Sequence, residues 1–319
     1  TPLYSSAASD VYKRQFLNGA PALAGRPFLA YRRAEWAALE DKVIVDALWD
    51  RAGVARAAFE VTSAHQPGAA AAAAALIDEG AGVVFAGDAL EGWHGGASLV
   101  RWADSPAGIY AAVAAIAPHC DSLRVMPYLP GVPCSIHGIV MPDGVAVARP
   151  VEMVVLRKPD GMFFYAGCAT FFDPTHTIRS EMQSAARRVG ELLRSEVGFR
   201  GAFTIDGVAT TKGFLPTELN PRNGAGLTIV ARGTGLPIQL LLDLIVAGED
   251  VAVSAAELED VLVSTADARR TGGTWAGVHG VGAAACEIRL VAAEGEFREA
   301  SIDEVADVCL LYTSPSPRD

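Results

Sequence analysis

Residues 202–226 read AFTIDGVATTKGFLPTELNPRNGAG. Two β-rich runs, AFTIDGV and FLPTELN, flank the turn-like ATTKG, a pattern that predicts a hairpin. With the turn centred on Lys212, Asp206 falls directly opposite Glu218 and their side chains share a face. Asn220 lies two residues beyond Glu218 and points the same way, and Arg222 lies two further along. Sparse carboxylate and amide oxygens of this kind hold a hard divalent cation that bridges phosphates. Arg222 adds a permanent cation for the anion that such a metal serves. Taken alone, the same set also fits a polar hairpin face turned to water.

Working outward, the chain alternates between helix and strand upstream of this hairpin. EDKVIVDALWDRA (40–52) places Val43, Ala47, Leu48 and Ala52 near helical spacing, with Asp46 and Asp50 on the solvent side and Gly53 as a stop. A strand is expected at AAFEV, a helix at 67–79, a strand at GVVFAG, and a helix through IYAAVAAIA. Between the last two lies the glycine-rich DALEGWHGGASLVRW. At RVMPYLPGVP prolines and a glycine separate two periodic regions, which reads as a hinge. Beyond it, SIHGIVM, VAVARPVEMVVLR and MFFYAGCATFF, joined by two PDG turns, predict an antiparallel meander. Helix 179–196 carries Met182, Ala185, Val189, Leu192 and Leu193 on one side. PIQLLLDLIVAG closes the region as a helix, and the stretch from there to 308 shows no clear pattern.

The 319-residue chain has a formal charge of −11, which argues against a nucleic-acid surface, and is 51% hydrophobic and 20% charged, ordinary for a globular protein. No apolar run is long enough for a membrane span; the alanine run at 69–75 is followed by Asp78 and Glu79. Cys120, Cys134, Cys168 and Cys286 form no CxxC pair and read as buried thiols of a cytoplasmic protein. Residues 1–15 and 309–319 fit no neighbouring hydrophobic pattern and look like translated sequencing-library adapters. The natural sequence is therefore expected at 16–308.

Asp206 on one strand and ELNPRNGAG on the next, with Glu218, Asn220 and Arg222, resemble the metal-binding end of ATP-grasp enzymes. EDKVIVDALWDRAGV resembles the earlier helix of that family, whose lysine, here Lys42, contacts ATP phosphate. DALEGWHGGASLV resembles the phosphate-covering loop, with Gly92, Gly95 and Gly96 allowing close approach of backbone N–H groups. RVMPYLPG resembles the adenine-binding hinge, with backbone groups from Met126 through Tyr128 to Leu129. These segments occur in the family's order over roughly residues 30–248. Two departures stand out: Phe85 lies near the place of a second phosphate-binding lysine, and Val125 and Met126 stand where the hinge usually begins with an acid.

The resemblance implies an α/β ATP-grasp fold of two α/β subdomains with ATP between them. It implies an end of a preceding domain at 16–40, a small subdomain at 41–121, a hinge at 122–131, a large subdomain at 132–248 and a C-terminal region at 249–308. It implies ATP and Mg2+ (or Mn2+) as cofactors and small-molecule carboxylate and amine substrates, joined through an acyl phosphate. A biotin-carboxylase-like enzyme and a nucleotide-binding module without turnover are the alternatives. Arg149 is a further candidate, a clamp for phosphate or carboxylate. Glu152 and Arg157 read equally as exposed strand positions, and His137 as a hydrogen-bonded strand histidine. Neither a Ser–His nor a Cys–His pair is indicated, and acyl-phosphate chemistry needs no enzyme nucleophile.

Overall fold

The computed structural model describes residues 32–88 and 97–274, and the backbone of short strand pieces at 22–23, 26–27, 290–293 and 296–299. Gly92, Gly95 and Gly96 with Trp93 and His94, the tails at 1–15 and 309–319, and Cys286 lie outside the described residues. β1 (Ala22–Leu23) pairs with β2 (Arg26–Pro27), and a 3-10 segment, Ala34–Glu40, leads into α1 (Val45–Arg51).

A small sheet follows, built from β3 (Glu60–Ser63), β4 (Val83–Gly87), β5 (Val100–Ala103) and β6 (Ser122–Pro127) in the spatial order β3-β6-β4-β5, all antiparallel. Its helices are α2 (Pro67–Ile77), an alanine run with proline pre-set in the first turn, and α3 (Pro106–Ile116), capped by Ser105. Val83, Phe85, Leu123 and Val125 face these helices and bury Ala70, Ala74, Val113 and Ile116. Strand alternation turns Val84, Ala86, Arg124 and Met126 to the opposite face.

The large sheet has seven antiparallel strands: β7 (Val132–Met141), β8 (Gly144–Val147), β9 (Val151–Arg157), β10 (Phe163–Ala169), β11 (Gly201–Thr210), β12 (Gly213–Asn220) and β13 (Gly272–Thr274). On one face lies α4 (His176–Val197), an N-cap threonine at its start and the left-handed Gly198 at its end. Met182, Ala185, Val189 and Leu193 of this helix pack on Ile136, Phe203 and Ile205. Complete burial of such a side chain stabilises the fold by about 1.5–3 kcal/mol. The other face is covered by α5 (Ala225–Val230), α6 (Ile238–Ala247) and α7 (Ala255–Ala268) over Ile139, Met141 and Ala202. α7 lies in the stretch where the sequence shows no clear pattern. A capping box between Ser254 and Glu257 starts it, and S-x-x-E is the signal that announces it. β14 (Leu290–Ala293) and β15 (Glu296–Glu299) form a separate ladder.

α1 corrects the expected helix at 40–52. It begins only at Val45, leaving Lys42 in the preceding turn, and it buries Val45, Asp46 and Trp49 while Ala47 is exposed. Asp50 is exposed as expected, but Asp46 is fully buried because Arg124 of β6 reaches it bidentately, at 2.5 and 2.7 Å. Arg124 also donates to the Thr217 carbonyl at 3.2 Å, so one guanidinium joins the small sheet, α1 and β12.

A second join lies at the turn between β9 and β10. Arg157 is solvent-exposed, yet its guanidinium stacks 3.6 Å over Trp102 of β5, and Trp102 N–H donates to the Gly161 carbonyl at 2.9 Å. Gly161 has φ of 79°, and any Cβ there would collide with the Trp102 carbonyl, so this approach needs glycine.

Removing one partner of a buried pair strands the other charge. Asp46→Ala is therefore expected to cost about 3–5 kcal/mol, read as a lowered midpoint in urea denaturation, whereas Asp50→Ala, which loses only an exposed pair with Arg56, should lower the midpoint far less. Equal midpoints for wild type and Asp46→Ala would contradict the role of this junction.

Candidate active site

The β11–β12 hairpin sets Asp206 opposite Glu218 and Thr204 opposite Asn220. The turn residues are Thr211 and Lys212, and near the turn the pairs run Thr210 with Gly213 to Gly207 with Pro216. That register alone would set Asp206 against Thr217. A bulge at Thr217 moves the pairing by one residue and restores the opposition of the two carboxylates. The expected pairing is thus observed, although the turn is centred half a residue earlier than expected and the bulge makes up the difference.

β7 pairs with the other edge of β11, with Ser135 against Asp206 and His137 against Thr204. Six polar side chains therefore occupy one patch of the sheet: Ser135, His137, Thr204, Asp206, Glu218 and Asn220. Farther along the same strands this face turns apolar, at Ile139 and Ala202 under the helices. Ser135 donates through Oγ to Asp206 Oδ1, and Asn220 Nδ2 donates to Asp206 Oδ2 at 2.9 Å. Burial, with Glu218 facing it, pushes the Asp206 carboxyl up to about 7.

Two cations reach this patch. Lys42 Nζ pairs with Glu218 Oε1 at 2.9 Å, and Arg222 Nη2 donates to Asn220 Oδ1 at 3.1 Å. The Arg222 Nε group is held at 2.7 Å by Glu40, whose other oxygen meets the buried Arg32 at 2.8 Å. Lys42, Asp206, Glu218, Asn220 and Arg222, singled out from sequence, are thus brought together. Ser135, Glu40 and Arg32 are not legible as site residues, and only the alternation of Ser135 and His137 along β7 hints at a polar face.

At the hinge, residues 122–127 belong to the small sheet as β6, and the backbone settles which groups are available to a ligand. Tyr128 N–H donates to Gly82 O at 2.8 Å, which sets the phase of the ladder; Met126 opposite Val84 and Arg124 opposite Ala86 follow in it. The Met126 backbone groups and the Tyr128 N–H are therefore committed to β4, a correction to their expected role, while Gly82 gives its own N–H to Asp78 Oδ1 at 2.9 Å and not to the Tyr128 carbonyl. The intervening Pro127 carbonyl and the N–H of Leu129 turn away from β4. β3 leaves that side open, since its last pair is Glu60 with Val125.

Arg149 does not join the site. Its fully buried guanidinium is held by Asp173 and, at 2.8 Å, by Asp267, in a cluster with Arg179 and Arg270. A clamp for a substrate anion needs open donors, and these carboxylates already take that place. Phe85 also does not join the site: it is wholly buried against α2 and α3, and Ala86 is the β4 residue directly opposite Arg124. His137 hydrogen-bonds Thr204 Oγ1 through Nδ1 at 2.8 Å, but its Nε2 is buried without a hydrogen-bond partner. Burial pushes its pKa down to about 3, so it is neutral near pH 7. Gly226 packs on that ring, where any Cβ would collide with it. Glu152 is half-buried, and burial raises its pKa. Cys120, Cys134 and Cys168 are free and buried, as expected.

The donors on the patch are hard oxygens. Among the described residues no three His, Cys, Asp or Glu side chains gather as a metal cage. Two carboxylates and an amide suit magnesium, which keeps several sites for water and substrate phosphate. The opposition of Asp206 and Glu218 favours such a cation further, since it relieves their repulsion.

The same architecture occurs in solved enzymes. An N5-carboxyaminoimidazole synthase from Aspergillus clavatus, in complex with ADP and 5-aminoimidazole ribonucleotide, superposes with a TM-score of 0.55 at 13% identity, covering 69% of this chain and 54% of that one. The biotin carboxylase domain of the Hydrogenobacter thermophilus 2-oxoglutarate carboxylase, with MgADP and bicarbonate, gives 0.55 at 18% identity, over 69% and 48%. Phosphoribosylamine–glycine ligase from Thermotoga maritima gives 0.53 at 17% identity, over 69% and 57%. No family model and no curated protein sequence matches the chain. The chain spans about half the length of these solved structures. It has the α/β ATP-grasp fold. Among the described residues no helix is long and apolar enough to cross a membrane.

A carboxyl whose pKa rises on folding holds its proton in the native state when the unfolded chain has released it. Stability from Asp206 is thus fully present below about pH 4 and is lost as pH rises through about 7. Thermal melting without magnesium should show wild type losing more stability between pH 5 and 8 than Asp206→Asn. Parallel pH profiles would contradict the environment described for this carboxyl.

Proposed function

We propose that this chain is the ATP-grasp part of an ATP-dependent ligase that joins a small-molecule carboxylate to an amine or similar nucleophile. The observation that carries the reading is the convergence of Lys42, Arg222, Asp206, Glu218 and Asn220 at the end of the large sheet reached by the Thr217–Arg124 junction. The likeness in fold to carboxylating and ligating enzymes, at low identity, adds to it.

In this reading a substrate carboxylate oxygen attacks the γ-phosphorus of ATP and releases ADP. The nucleophile then attacks the acyl carbon and expels phosphate. Asp206, Glu218 and Asn220 would hold magnesium, which when bound neutralises phosphate charge. Lys42 has three N–H donors, one of them on Glu218, and the others are available to phosphate oxygens. Arg222 presents a planar guanidinium whose Nε edge is fixed by Glu40, so its positive charge is preorganised beside the patch. Catalysis then rests on positioning and charge, with no enzyme nucleophile. His137, neutral and enclosed, has no part in proton transfer.

The base is recognised in this reading by the Pro127 carbonyl and the Leu129 N–H. An acceptor and a donor in that order match the amino group and ring nitrogen of adenine. They oppose the carbonyl and ring N–H of guanine. MgATP is expected to bind at least about tenfold more tightly than MgGTP by calorimetry, since each mismatch leaves a buried polar group unpaired. Equal affinities would remove the hinge from base recognition.

Glu218→Gln should keep the fold and adenosine binding but lose most of the melting-temperature rise given by MgATP. With a competent carboxylate, hydroxylamine trapping of acyl phosphate should fall by about a hundredfold or more. Equal shifts and equal trapping in the two proteins would overturn the metal assignment. A wild type that shows the shift but never yields trappable product with any carboxylate would favour a binding module.

A further inference from the structure

We infer that Glu40, from the segment preceding the ATP-grasp subdomains, is a positioning residue that acts through Arg222. The inference rests on the reading of Arg222 as a phosphate-binding cation. Glu40 ends the 3-10 segment and shares its carboxylate between two guanidiniums, Oε1 with Arg222 Nε at 2.7 Å and Oε2 with Arg32 Nη1 at 2.8 Å. The three side chains are almost closed to water, at 0% for Arg32, 9% for Glu40 and 11% for Arg222. Enclosure keeps the charge-assisted hydrogen bond from Arg222 and the ion pair with Arg32 strong and leaves the guanidiniums little room to turn.

Geometry then gives Arg222 two fixed points. Glu40 grips the Nε edge, and Asn220 Oδ1 accepts from Nη2 at 3.1 Å. Asn220 is itself tied to Asp206 at 2.9 Å. A planar guanidinium held at two of its donors is fixed in its plane, and Glu40 supplies one of the two holds. Arg32 has a complementary part: it shares the same carboxylate, so Glu40 is not given over to Arg222 alone. Glu40 is described with no hydrogen bond or ion pair to Asp206, Glu218 or Lys42, and it is therefore a positioning residue and not a catalytic one.

Two substitutions separate charge from position. Glu40→Gln and Glu40→Ala lose the same charge, but only glutamine keeps an acceptor for Arg222 Nε. MgATP affinity, measured by calorimetry on the full chain, should be weaker in Glu40→Ala than in Glu40→Gln by about fivefold, the size of one such hydrogen bond. With Arg222→Ala in both proteins the difference should vanish. Adenosine affinity, which reads the hinge, should be the same throughout.

Equal MgATP affinities for the Gln and Ala variants would overturn the inference, as would a difference that persists without Arg222. If Glu40→Ala does not fold, Glu40→Asp replaces it: the carboxylate retreats by one methylene, and a loss relative to wild type is expected only when Arg222 is present. Failure of the underlying reading looks different. In that case Arg222→Ala alone binds MgATP as tightly as wild type, whatever Glu40 carries.

Discussion

The opposition of Asp206 and Glu218 across the β11–β12 hairpin is the constraint on which the site depends. Side chains in a sheet alternate, so a shift of one residue in pairing would send Glu218 and Asn220 to the face occupied by Ile205 and Leu219 under α4. The bulge at Thr217 prevents that. It lets a two-residue turn, which sets the register at one end, coexist with paired carboxylates at the other. The Thr217 carbonyl at the bulge also accepts from Arg124, so the irregularity that aligns the carboxylates is the point where the small sheet is tied to the large one.

Charge is handled differently at the junction and at the site. Arg124 and Asp46 are fully buried and satisfy one another bidentately, with the Thr217 carbonyl and Met126 Sδ completing the guanidinium's contacts. Such a pair fixes a relative placement, because neither member tolerates the loss of the other. At the site the balance is left open: Lys42 and Asn220 are buried, Arg222 and Glu218 mostly so, and Asp206 gains a proton more readily than a free aspartate. Groups arranged so that charge is neither fully paired nor fully solvated are the ones able to exchange partners with a ligand.

Strand phase and prior partners account for the residues that the family pattern suggested and the fold placed elsewhere. Arg149 lies between β8 and β9, beside β7, but its guanidinium is taken up by Asp173 in the loop before α4 and by Asp267 of α7. Phe85 alternates to the helix side of β4. Both look like site positions when only sequence order and residue type are considered, because neither reveals which face of a strand a side chain takes once an adjoining strand has set its phase.

Much of the architecture is determined locally and is legible in the chain. The helix at 176–197 declares itself by the spacing of Met182, Ala185, Val189 and Leu193, and the hairpin by two β-rich runs around a turn, because a 3.6-residue or a two-residue period is imposed by backbone geometry. The E-x-N-x-R run shows its ligands for the same reason, since alternate residues share a face. What the sequence could not decide depends on partners far away along the chain. Asp46 reads as a solvent-facing helix residue until Arg124, 78 positions later, is folded against it, and Glu40 has no evident role until Arg222, 182 positions later, arrives beside it. Burial of a charged side chain is favourable only with its counter-charge in place, and tertiary structure alone supplies the counter-charge.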